Sequence, residues 1–102
     1  MKLKLEFQYF EGCPNHIKMW DNLQAAIQGL ENEIEINKVL VDNEIKAMQV
    51  KFRGSPTLLI NGEDLFDMPA PSEPLLACRY YPEGIPTAEE IRKIILQKLK
   101  EV

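Results

Sequence analysis

Two cysteines and a single histidine carry most of the chemistry open to this 102-residue chain. Cys13 stands between Gly12 and Pro14, His16 follows three positions on, and Cys78 is followed by Arg79 in a late, proline-rich stretch. A thiolate is the natural nucleophile of such a set. Cys13 falls where an apolar alternation ends and a helical pattern begins, so the orphan N–H groups of a helix N-terminus can stabilise its charge. Its pKa is therefore expected below that of free cysteine, about 8.5; Glu11 works against this shift, since a carboxylate disfavours a nearby thiolate. Within one helical turn of Cys13, His16 can donate to the thiolate, carry a proton, or simply face water. Cys78 reads either as an inert loop thiol or as a partner presented to Cys13, with Arg79 favouring its thiolate. Cys13, His16 and Cys78 are also soft-metal ligands. Three ligands at this spacing match no standard zinc site, so no metal is assigned.

The elements that must position these residues are legible from periodicity. Leu3, Leu5, Phe7 and Tyr9 alternate with polar residues and predict a strand over 2–10. Ile17, Trp20, Leu23, Ile27 and Leu30 predict a helix over 14–30, with Gly12 permitting the turn before it and Pro14 suited to its first turn. Glu33 to Val41 ends in an apolar run and predicts a strand buried on both faces, completing a βαβ unit. Asp42 or Asn43 can cap a short helix over 43–52 with Ile45, Met48 and Phe52 inward. Thr57–Ile60 predicts a third strand, Asn61-Gly62 a two-residue hairpin turn, and Glu63–Met68 a fourth strand. Five of the seven prolines then fall within 69–86, which predicts an irregular loop. Thr87 and Glu90 form a capping box for a last helix over 88–101, with Ile91, Ile94, Ile95, Leu96 and Leu99 inward.

Composition narrows the function class. One domain over 1–102 is expected from the length. The net charge of -4, with no basic stripe, argues against nucleic acid. No apolar run suits a membrane span and the start does not read as a signal peptide, so a cytoplasmic protein is expected. In a reducing compartment the two cysteines read as reactive or buried thiols rather than as a structural staple.

Two motifs carry a resemblance. A cysteine followed by proline opens the helix after the first strand, and Gly54-Ser55-Pro56-Thr57-Leu58-Leu59-Ile60-Asn61-Gly62-Glu63 precedes the hairpin. Together they resemble the thioredoxin-like superfamily over nearly the whole chain, closest to small prokaryotic thioredoxin- or glutaredoxin-like proteins with a Gly-Cys-Pro-x-His start. The resemblance implies an α/β fold of three layers, with a mixed four-stranded sheet in the order βαβαββα. It implies Cys13 as the nucleophile, Pro56 as the substrate-facing proline and a cis peptide before Pro56; Pro14, Ser55 and Arg79 are expected to bind substrate beside it. His16 stands where a dithiol member of that superfamily has its second cysteine, so no local resolving thiol carries over.

The function expected is thiol-disulfide redox chemistry on protein or small-molecule thiols and disulfides, with no cofactor. Cys78, or an external thiol such as glutathione, would resolve a Cys13 intermediate. Three features favour Cys78: there is no third cysteine, the loop 69–86 is longer than a connection needs, and Arg79 adds a positive charge. The alternative is a non-catalytic module that presents the Cys13 loop, Pro56 and the late loop to a peptide or a soft metal ion.

Overall fold

Leu3, Leu5 and Phe7 lie on one face of the first strand, β1 (Leu3–Tyr9), and each is almost fully buried. That face forms the main core in the computed structural model, which describes residues 2–101. β1 is followed by α1 (Asn15–Ala26), a short 3-10 turn (Glu31–Glu33), β2 (Ile34–Leu40), α2 (Glu44–Val50), β3 (Thr57–Ile60), β4 (Glu63–Asp64) and α3 (Ala88–Glu101). The strands form one mixed sheet in the order β2-β1-β3-β4. β1 is central, parallel to β2 and antiparallel to β3, with Leu3 opposite Ile34, Leu5 opposite Ile36 and Phe7 opposite Leu58.

The two long helices cover this apolar face. Met19, Leu23 and Ala26 of α1 and Ile91 and Ile95 of α3 join the β1 residues in the core. Arg92 of α3 donates to the carbonyls of Ala26 and Gln28, at 2.8 Å each, and so satisfies the end of α1. At the start of α3 the expected capping box is made: the Glu90 N–H donates to Thr87 Oγ1 at 3.1 Å, and the Thr87 N–H donates back to Glu90 Oε1 at 3.2 Å. Val39, opposite Gln8 on the other face, belongs to a smaller cluster of Val41, Ala47 and Phe52 that holds α2. Asn43 caps α2, its side chain accepting from the Lys46 N–H at 2.8 Å.

Several expectations need correction. Ile17 is 59% exposed, because the inward stripe of α1 runs through Met19 and Leu23. In α2, Ile45 and Met48 point to solvent and Ala47 is the buried residue. Leu96 also lies on the outer side of α3. β2 is an edge strand, with Glu35, Asn37, Lys38 and Leu40 exposed, so it is not buried on both faces. β3 and α3 have the expected bounds, whereas β1, α1, β2, α2 and, most clearly, β4 are shorter than expected. The Asn61-Gly62 turn forms as predicted, with both residues at positive φ. The strand beyond it stops at Asp64, whose carboxylate accepts the N–H groups of Phe66 and Met68 and turns the chain away from the sheet.

Candidate functional site

Cys13 lies directly before Pro14, the N-cap of α1. Its N–H donates to the Phe10 carbonyl at 3.0 Å, closing the turn out of β1. That turn is held from β3's side by Ser55: the Phe10 N–H donates to Ser55 Oγ at 2.9 Å. The Ser55–Pro56 peptide is cis, and the Cys13 sulfur sits 3.5 Å from the Ser55 carbonyl oxygen.

Cys13 and Cys78 form a disulfide, with Cα atoms 5.5 Å apart across a sequence separation of 65. The late loop thus folds back across the carboxyl end of β1 and brings Cys78 to Cys13, the second of the two readings open for Cys78. The pairing is prepared by backbone. The Ser55 N–H donates to the Ala77 carbonyl and the Arg79 N–H to the Ser55 carbonyl, each at 2.8 Å, so Cys78 pairs with Ser55 in a parallel isolated bridge.

Sequence reasoning left the Ser55 edge open to a substrate segment. Residues 77–79 of the same chain take it instead. Ser55, Pro56 and Arg79 are buried, Arg79 with an edge on the groove beside Cys78, and Pro14 is exposed. Gly54 makes the close approach possible. Its φ is +99°, and a Cβ there would fall 2.9 Å from the Arg79 Cβ and 3.0 Å from its backbone N. Gly54→Ala is therefore expected to cost about 2 kcal/mol or more from the strained backbone and the displaced loop. Urea unfolding of the variant measures it, and a loss below ~0.5 kcal/mol, the usual size of a surface change, contradicts the account.

Arg79 has a different role from the one expected. Its guanidinium does not serve a cysteine thiolate; it makes a two-pronged pair with Asp64, Nη1 to Oδ1 at 2.6 Å and Nη2 to Oδ2 at 2.9 Å. Nη1 also donates to Thr57 Oγ1 at 3.3 Å. With the Phe66 and Met68 N–H groups, the Asp64 carboxylate accepts from four donors, as a buried charge requires. Burial pushes the Asp64 carboxyl up, but the Arg79 bonds and charge and the two backbone N–H groups outweigh it and hold it below the usual carboxylate range. Burial likewise works against the Arg79 cation, and Asp64 reverses that.

Tyr81 completes the anchor. Its ring lies 4.6 Å from the Arg79 guanidinium, and its hydroxyl donates to the Pro56 carbonyl at 2.6 Å. Burial pushes its phenol well up, so it stays a donor.

The two cysteines are not equivalent. Cys13 is 0% exposed, whereas Cys78 is an exposed residue on the wall of a groove of about 790 Å³. The groove is also lined by Arg53, Phe66, Met68, Tyr80 and Tyr81, and Cys13 does not reach it. The His16 ring packs 4.9 Å from that of Tyr9, and among the described residues no hydrogen bond joins it to Cys13. Among the described residues, no three His, Cys, Asp or Glu side chains converge as a metal-binding group, so Cys13, His16 and Cys78 do not assemble the soft-metal site.

Asp64, Thr57 and Tyr81 are the site residues that sequence reasoning missed. One signal was available: an aspartate two positions after the Asn61-Gly62 turn, where a strand residue was expected, asks for a cationic partner. Searched against protein-family models and curated proteins, the chain matches none. Among the described residues no helix is long and apolar enough to cross a membrane.

Proposed function

We propose that this chain is a thiol-disulfide redox protein of thioredoxin-like type whose working pair is Cys13 and Cys78. The observation that carries the reading is a disulfide between one buried and one exposed cysteine, set on the wall of an open groove. A bond meant only as a staple has no need of a cavity beside its exposed cysteine. The thioredoxin-like assignment is supported by the cysteine-proline pair before α1, the cis Ser55–Pro56 peptide beside it and the antiparallel hairpin that follows. In the cytoplasm, where thiol pools keep structural disulfides rare, such a bond belongs to a reaction cycle.

In the proposed chemistry the protein disulfide takes two electrons from a dithiol and passes them to a second disulfide, protein or small-molecule. No cofactor takes part. Cys78 fills the place that His16 leaves vacant, supplying from the late loop the second thiol that the α1 turn lacks.

The test is dithiol-coupled reduction of a mixed disulfide. The wild-type chain is expected to accelerate it, and both Cys13→Ser and Cys78→Ser to lose that turnover. A wild type no faster than the dithiol alone would leave the non-catalytic binding module as the reading. Turnover retained in Cys78→Ser would make Cys13 a monothiol catalyst resolved by an external thiol.

A further inference from the structure

We infer that Cys78, not Cys13, is the sulfur that exchanges with the partner, and that Cys13 is the leaving and resolving sulfur. The inference rests on the redox reading above and reverses the order expected from a cysteine at a helix start.

Thiol-disulfide exchange is a displacement at sulfur. The incoming thiolate must reach one sulfur roughly opposite the bond that breaks, so access decides which sulfur is attacked. Cys13 offers no surface: it is 0% exposed, behind the α1 turn and beside the Ser55 carbonyl. Cys78 is an exposed residue and lines the groove, which Cys13 does not reach. The exchange also favours the sulfur that departs most easily as a thiolate. Cys13 adjoins the positive end of α1, where a departing thiolate is stabilised.

The step balances as follows. A reductant thiol loses its proton to solvent and its thiolate sulfur bonds to Cys78 Sγ. The Cys13–Cys78 bond breaks, and its electron pair leaves on Cys13, which takes up a proton. The second thiol of the same reductant then attacks its own sulfur in the mixed disulfide and releases Cys78. The protein gains two electrons and two protons, and the dithiol becomes a disulfide. In the opposite direction the Cys78 thiolate attacks a substrate disulfide, and Cys13 then displaces the substrate sulfur from Cys78.

The loop is built to keep this arrangement through the cycle. Breaking the sulfur bond leaves the Asp64 pair, the Tyr81 hydroxyl and both Ser55 backbone bonds in place. Cys78 therefore stays beside Cys13 after reduction, and Cys13 resolves the intermediate without a search.

The deciding experiment uses the oxidised wild-type chain, so it does not depend on a variant folding. The chain is exposed briefly to 2-mercaptoethanol, quenched with acid, alkylated with a maleimide and mapped by peptide mass. The expected result is the mercaptoethanol adduct on the Cys78 peptide and the maleimide on Cys13. The adduct on Cys13 would overturn the inference and leave the redox reading standing. Neither adduct nor reduction, even with excess dithiol, would overturn the redox reading and the inference with it. As a second measurement, Cys13→Ser is expected to react with an aromatic disulfide at least ~10-fold faster than Cys78→Ser, since a buried thiol is the less reactive. Equal or reversed rates in folded variants would count against the assignment.

Discussion

Reducing the Cys13–Cys78 bond is expected to lower the stability of the folded chain by about 4 kcal/mol, the loss of a cross-link that closes a long loop in the unfolded state. The cysteines are 65 residues apart, so the bond restricts most of the unfolded chain. For a domain of this size such a loss is a fall in Tm of roughly 15–30 °C. Thermal unfolding of the oxidised protein, and of protein reduced with a phosphine, measures it; Cys78→Ser should follow the reduced form. A shift under about 5 °C, little more than 1 kcal/mol at this size, would show that the bond does not constrain the unfolded chain. The same linkage runs the other way. A bond that stabilises the fold is stabilised by it, so the folded dithiol gives up its electrons more readily than the same cysteines in an unfolded chain. That suits a protein acting as a reductant.

Arg79→Met is expected to cost about 3–5 kcal/mol, because it strands the Asp64 carboxylate in the interior. The two side chains are 5% and 0% exposed, so water does not screen the loss. Asp64→Leu should cost a similar amount by stranding the guanidinium. The double variant should lose less than the sum of the two, since neither charge is then left alone. Additive losses in urea unfolding would contradict a direct pair.

The pair also sets an acid limit. Asp64 is held below its ordinary value of 3.8 in the folded chain, so the unfolded state binds the proton first as pH falls. The stabilisation is therefore complete above the ordinary value and lost as pH drops through the lower folded one. This acid-side loss should disappear from the pH profile of Asp64→Leu. In Arg79→Met the loop 77–79 also loses its main anchor, and re-formation of the disulfide after reduction should slow.

Local sequence determined the elements of this protein. The alternation of Leu3, Leu5 and Phe7, the Asn61-Gly62 turn and the Thr87–Glu90 box act between neighbours a few residues apart, and the structure has a strand, a turn and a capped helix at those positions. The same kind of signal was too short to orient α2. Seven residues are barely two turns, and the inward place went to Ala47 and not to the larger Ile45 or Met48, because Phe52 and Val41 already fill the cluster there. The types of the chemical residues were also legible, Cys13 before a helix and Cys78 in a long loop. Their relations were decided by the path of the chain. Arg79 met Asp64, 15 residues away, and Cys78 met Cys13 across 65, because Ser55 pairs with Cys78 in a parallel bridge. Which cysteine faces solvent followed from that packing: exposure is a property of what covers a group, and Cys13 is buried between the Phe10 turn and Ser55.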